Sequence, residues 1–237
     1  MTRMLVIGAH SADFVWRSGG AVAVNTANGG ASKVIALSYG ERGESGELWK
    51  EEGQTIENVK KVRHGEAERA AGGLGAEFEC LDLGDYPLEV DKDALELIAD
   101  KVREFAPDVL ITHTDTDPFN PDHPVAFTAA DRARKLAMGA AGVASAFKTI
   151  KPPRLYLFEP HHPEQCGFQP NTFVDYTAVA DRKEAAMAAM AAQSYLRDHY
   201  RERGAQRAVQ ARYFGAGPET KLAEAFQLTT PRLTSGL

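Results

Sequence analysis

Short β-rich runs alternate with longer helix-periodic runs along most of the chain, an order that few architectures accommodate. MLVIGA (4–9) reads as a first strand, and FVWRSGGAVAVNTANGG (14–30) as a helix ending at Gly29-Gly30. SKVIALSYG (32–40) predicts a second strand, and ENVKKVRHGEAERAAGGLG (57–75) a charged amphipathic helix stopped by glycines. The alternation continues with a strand at 76–83, a helix at 92–107, a strand at 108–114 and a helix at 125–144. RLYLFEP (154–160) and TFVDYT (172–177) are later strands, and residues 181–215 form one or two long helices. Strands separated by helices pair in parallel, because each crossover returns the chain to the same end of the sheet. The expectation is an α/β, Rossmann-like single domain spanning 1–237: a mostly parallel sheet flanked by helices, with a helical C-terminal end.

Composition narrows the partners. A chain of 237 residues is ample for one large core, and its formal charge of -6 argues against a nucleic-acid surface, which needs a basic stripe. An acidic protein can still hold a locally basic pocket for small anions. No apolar run approaches the roughly 18 residues of a membrane span, and the N-terminal one is too short for a signal peptide. Cys80 and Cys166 form no metal-binding or disulfide pattern, which suits free thiols in a reducing cytoplasm. A cytoplasmic protein with no membrane or nucleic-acid partner is expected.

In parallel sheets ligands bind beyond the C-terminal ends of the strands. The first such end is IGAHSADFVW (7–16). It lacks the GxGxxG of a dinucleotide turn and offers His10 and Asp13 instead, an imidazole and a carboxylate of the types that bind zinc and related ions. A third ligand, His123, lies in DTDPFNPDHPVAF (115–127), after the fourth strand. Three protein ligands leave a position open for water or substrate. The same residues equally suit a core histidine and a helix-capping aspartate, so the pattern alone leaves both readings open. Other strand ends carry Glu41, Glu44 and Glu47 in GERGESGELW (40–49), His113 in THT, and His161 and His162 in FEPHHPEQC (158–166). Each would otherwise be an ordinary loop acid or a satisfied histidine.

AHSADF and the DPFNPDHP loop resemble the two motifs of the PIG-L (LmbE-like) zinc N-deacetylases, read AHPDDE and HPDH in that family. The resemblance implies that His10, Asp13 and His123 bind zinc. It also exposes three departures: Ala12 stands where the family has its general-base aspartate, Phe14 replaces the next acid, and Asn120 replaces the first histidine of the second motif. Losing a general base costs roughly 10²–10⁴-fold. An N-deacetylase of a sugar conjugate would therefore need another acid as base, and a metal-binding scaffold without chemistry is a further alternative.

A hydratase branch of the family resembles far more of the chain: AHSADFVWR (9–17), LSYGERGES (37–45), LGDYP (83–87), DPFNPDHP (117–124), FEPHHPEQC (158–166) and QRAVQA (206–211). That likeness implies hydration of a small anionic tricarboxylate, 4-oxalomesaconate, to 4-carboxy-4-hydroxy-2-oxoadipate in aromatic (gallate-type) catabolism, with a divalent metal, zinc foremost. Under it, Glu47 ahead of Glu44 is the expected acid/base, with His161 as a second. Arg42, Arg17, Asn120 and His113 are the expected substrate-binding or orienting residues. Arg207 and Arg212 are further cations able to reach a site, their own or a neighbouring subunit's. His64 and His199 are expected to be solvated. The Ala/Met face of EAAMAAMAAQ (184–193) is expected to pack as a helix face or as the seam of a homo-oligomer.

Overall fold

The computed structural model describes residues 1–139 and 145–231. Among the described residues seven strands form one sheet: β1 (Arg3–Gly8), β2 (Ala31–Ala36), β3 (Glu77–Cys80), β4 (Val109–Thr112), β5 (Arg154–Phe158), β6 (Thr172–Asp175) and β7 (Ala223–Leu228). Their order is β3-β2-β1-β4-β5-β7-β6. The first five pair in parallel, while β7 runs antiparallel to both β5 and β6. The mostly parallel α/β sheet is as expected; β7 was not. AEAFQL is short and interrupted by Glu224 and Gln227, and its neighbours in space make it a strand.

Alternation along the strands divides the core. Leu5 and Ile7 of β1 face one apolar layer with Ile35 and Leu110, and Val6 faces the other with Val34 and Ile111. Helices α3 (Lys92–Phe105) and α4 (Asp122–Gly139) cover the first layer. The second is covered by α1 (Asp13–Ala27), α2 (Ile56–Leu74), α5 (Ala180–Ala189) and α6 (Arg197–Tyr213). The first eleven residues of α1, Asp13 through Ala23, are all buried. A helix enclosed on every side needs small and apolar residues all round, which SGGAVA supplies. α2 is capped by Thr55, whose side chain accepts the Asn58 amide, and it stops at Gly75, at φ 76.

The helix boundary that matters most for the site moves relative to expectation. The fourth helix begins at Asp122 rather than 125, so His123 sits in its first turn; the expected extension through 140–144 lies outside the described residues. The Asn120 side chain accepts the Asp122 amide there, and Pro124 falls within the first helical turn, where its missing N–H leaves no partner unpaired. The C-terminal helical region divides into α5 and α6 around a kink at Gln193. The Ala/Met face of α5 is spent inside the chain's own core, with Met187 and Met190 buried. No helix among the described residues is long and apolar enough to cross a membrane.

Candidate active site

The turn leaving β1 and the start of α4 meet at the C-terminal edge of the sheet. Asp13 opens α1, but its carboxylate does not cap that helix: Oδ2 accepts the His10 amide at 2.7 Å. This closes the turn on itself and places Asp13 Oδ2 3.5 Å from His10 Nδ1. His123 Nε2 lies 3.7 Å from Asp13 Oδ1. His10, Asp13 and His123 are all buried.

The remaining nitrogens show how the rings are set. His10 Nε2 lies 3.2 Å from Asp122 Oδ2, and His123 Nδ1 lies 2.7 Å from Asp117 Oδ2. A carboxylate beside one ring nitrogen fixes a hydrogen there and leaves a lone pair on the other. Those other atoms, His10 Nδ1 and His123 Nε2, are buried without a hydrogen-bond partner. Two unpartnered imidazole lone pairs converging beside the Asp13 carboxylate are a donor set that could hold a divalent metal. Burial disfavours a charged His10, but Asp122, Asp13 and Glu44 outweigh it and raise its pKa to about 10. The surroundings thus call for positive charge at that ring, which a bound cation supplies in place of the proton.

Two more histidine contacts complete the floor. The His113 ring stacks on His123 at 4.0 Å between centroids. Its Nδ1 lies 3.1 Å from Arg17 Nη1, and its Nε2 lies 3.1 Å from Asp13 Oδ2. Burial lowers the His113 pKa to about 4, so the ring is neutral. Burial also pushes Asp13 upward, yet His113, His10 and Arg17 hold it well below the usual carboxylate range.

Of the loop glutamates, the structure brings Glu44 to the cluster. Glu44 Oε1 lies 3.7 Å from His10 Nδ1 and accepts from Asn120 Nδ2 at 2.9 Å. Glu47, placed ahead of it in the sequence reading, turns outward instead, pairing with Lys50 Nζ at 2.6 Å on the surface. The reason is local: Gly40, at φ +71, turns the loop so that a Cβ there would lie 2.8 Å from Glu44 Cβ and 3.2 Å from His10 Cβ. Only glycine allows that approach. Asp85 then accepts the Arg42 and Gly43 amides, at 2.9 and 2.7 Å, and pins the loop. Arg42 keeps its side chain exposed. Arg17 is buried behind the histidines, with its guanidinium 5.6 Å from the Phe158 ring centre.

His161 is mostly enclosed, 3.5 Å from the Tyr200 hydroxyl, and burial together with Arg17 and His199 lowers its pKa to about 3. His199 packs against His161 rather than standing in solvent, whereas His64 stays on the surface of α2 beside Glu68. Arg207 does not point at the cluster: with Arg203 it grips Glu159, and Arg212 donates to the Thr220 carbonyl at 2.6 Å. Sequence reading passed over Asp117 and Asp122, although both stand just before His123; acids six and one residues ahead of a candidate ligand were the available signal.

These motifs place the chain in a family. Residues 5–134 match the family model of PIG-L, GlcNAc-PI de-N-acetylase, and the chain belongs to the PIG-L family. It is 45% identical over 236 residues to the 4-oxalmesaconate hydratase of Pseudomonas putida KT2440, covering 98% of this chain and 91% of that one. It is also similar to the crystal structure of GalB, the 4-carboxy-2-hydroxymuconate hydratase of Pseudomonas putida KT2440, with a TM-score of 0.96 and 44% identity over 100% of both chains. The N,N'-diacetylchitobiose deacetylase of Pyrococcus horikoshii shares the fold, with a TM-score of 0.79 at 17% identity over 96% of this chain and 84% of its own.

Proposed function

We propose that this chain is a metal-dependent hydratase that adds water across a carbon–carbon double bond of 4-oxalomesaconate, giving 4-carboxy-4-hydroxy-2-oxoadipate. The observation that carries this reading is the exchange of one carboxylate for another. Residue 12, where the deacetylases hold their base, is a buried methyl, while Glu44 brings a carboxylate to the same cluster from a different loop. A base that approaches from a new direction suits a different reacting atom. The near full-length identity to a 4-oxalmesaconate hydratase supports the substrate.

His10, Asp13 and His123 would hold the metal, and two nitrogens with one oxygen favour zinc. When bound, the metal polarises a substrate oxygen or acidifies water. Glu44 accepts the proton that water loses as its oxygen bonds to carbon. The same carboxyl then returns a proton to the neighbouring carbon of the enolate, so that water is added with no net change at the protein. Asn120 keeps the Glu44 carboxylate aimed, and Arg42 receives a substrate carboxylate at the open rim. His161 enters neutral and serves as a hydrogen-bond partner; it becomes an acid only when a bound polycarboxylate raises its pKa. Its loop neighbour Cys166 and the half-buried Cys80 are both free thiols, consistent with a cytoplasmic enzyme.

The test is an ultraviolet assay of zinc-loaded protein, following loss of the conjugated chromophore of 4-oxalomesaconate. Turnover on this substrate with none on N-acetyl sugars supports the hydratase. Release of acetate without hydration would refute it.

A further inference from the structure

Gln193 occupies the kink between α5 and α6, at φ −131 and ψ 31, and is 1% exposed. Its side-chain oxygen accepts from Arg63 Nη2 at 2.9 Å and from Trp16 Nε1 at 3.3 Å. Both of those groups can only donate, so the oxygen must face them and the amide nitrogen must face the other way. On that side it donates to Glu44 Oε2 at 2.5 Å. The support behind it is equally fixed. Arg63, fully buried, pairs with Glu66 Oε2 at 2.9 Å, and Glu66 Oε1 accepts the Ala192 amide at 2.9 Å. The residue before Gln193 and its side-chain oxygen are thus both anchored to α2.

The opposite oxygen of Glu44 is held by the same logic. Asn120 Oδ1 accepts the Asp122 amide, so its Nδ2 must be the atom that donates to Glu44 Oε1. Two side-chain amides from distant parts of the chain grip the two oxygens of one carboxylate. Without the second grip, a glutamate on a glycine-rich loop would be free to rotate away from the cluster.

We propose that Gln193, anchored by Arg63 and Trp16, is a positioning residue for the hydration, fixing the direction in which Glu44 presents its carboxylate to the His10–Asp13–His123 cluster. The proposal rests on Glu44 being the proton-transfer group. Its role is geometric: a displacement on the order of 1 Å at a reacting group can cost about 10²-fold in rate.

Gln193→Glu separates positioning from support, because it keeps an oxygen toward Arg63 and Trp16 and replaces only the donor that faces Glu44. Turnover by zinc-loaded protein is measured for this variant alone and combined with Glu44→Gln. In the Glu44 background kcat should fall about 10–100-fold, with KM within about threefold and zinc content unchanged. In the Glu44→Gln background the same substitution should cost less than about twofold, since the group it positions is gone. Should Gln193→Glu fail to fold, Gln193→Ala completes the same cycle. An equal loss in both backgrounds, or none in either, would overturn the positioning role. Undiminished turnover by Glu44→Gln itself would overturn the Glu44 reading, and the positioning role with it.

Discussion

Two buried polar clusters flank α1, and they treat charge in opposite ways. Toward α5 and β7, Lys183 Nζ donates to Glu224 Oε1 at 2.6 Å and to the Trp16 carbonyl at 3.2 Å. Glu224 in turn accepts the Gly20 and Ala21 amides at 2.8 and 2.7 Å. Both carboxylate oxygens and the ammonium have partners. At the other end of the same helix, Asp13 lies between two histidines that each leave a lone pair unpartnered. Burial is similar in the two clusters, so burial of charge does not by itself mark a functional site. Unspent hydrogen-bonding capacity converging beside a carboxylate is the feature that differs, and it is costly to leave in a protein interior unless a ligand uses it.

The largest effect that would sharpen this comparison lies at the satisfied cluster. Glu224→Ala strands a buried ammonium and should destabilise the fold by about 3–5 kcal/mol, read as a lower urea midpoint. Zinc stoichiometry of the folded protein should not change; loss of zinc there would mean that the two clusters are not independent. A smaller effect is expected behind the proposed ligands. Asp117→Asn no longer fixes the His123 ring through a charged acceptor, and zinc affinity should fall about 10–100-fold by competition with a chelator. An unchanged affinity would show that the 2.7 Å contact does not set that ring.

A further effect, confined to acid pH and absent at neutrality, lies at His161. His161 is held neutral in the fold, with its pKa lowered to about 3, while the unfolded chain binds a proton below its ordinary value of 6.5. Its contribution is therefore fully present above pH 6.5 and is lost as pH falls toward 3. Between those limits it adds a slope of at most about 1.4 kcal/mol per pH unit. His161→Phe should flatten the acid limb of stability against pH by that amount. A limb as steep as before would place the proton uptake elsewhere.

The sheet was legible because strand and helix periods differ and each parallel strand is separated from the next by a helix. β7 was not, because an antiparallel strand late in the chain owes its place to β5 and β6 rather than to its own pattern. At the candidate site, His10, Asp13 and His123 were singled out by their place after strand ends and by the family resemblance, whereas their spacing alone left a core histidine and a helix cap open. Glu44 and Glu47 were not distinguishable, since three residues in a glycine-rich loop turn a side chain from the cluster to solvent. Gln193 and Arg63 escaped altogether. Their role depends on a kink that brings the α5–α6 junction against α2, and a glutamine at the end of an alanine-rich helix carries no local sign of it.

The central claim is that the unpartnered nitrogens of His10 and His123 define a metal site. Calorimetric titration of chelator-treated protein with zinc tests it most directly, run on the native chain and on His123→Ala. The account predicts one zinc per native chain and no comparable binding by the folded variant. Stoichiometric binding by His123→Ala at native affinity, or none by the native chain, would contradict it.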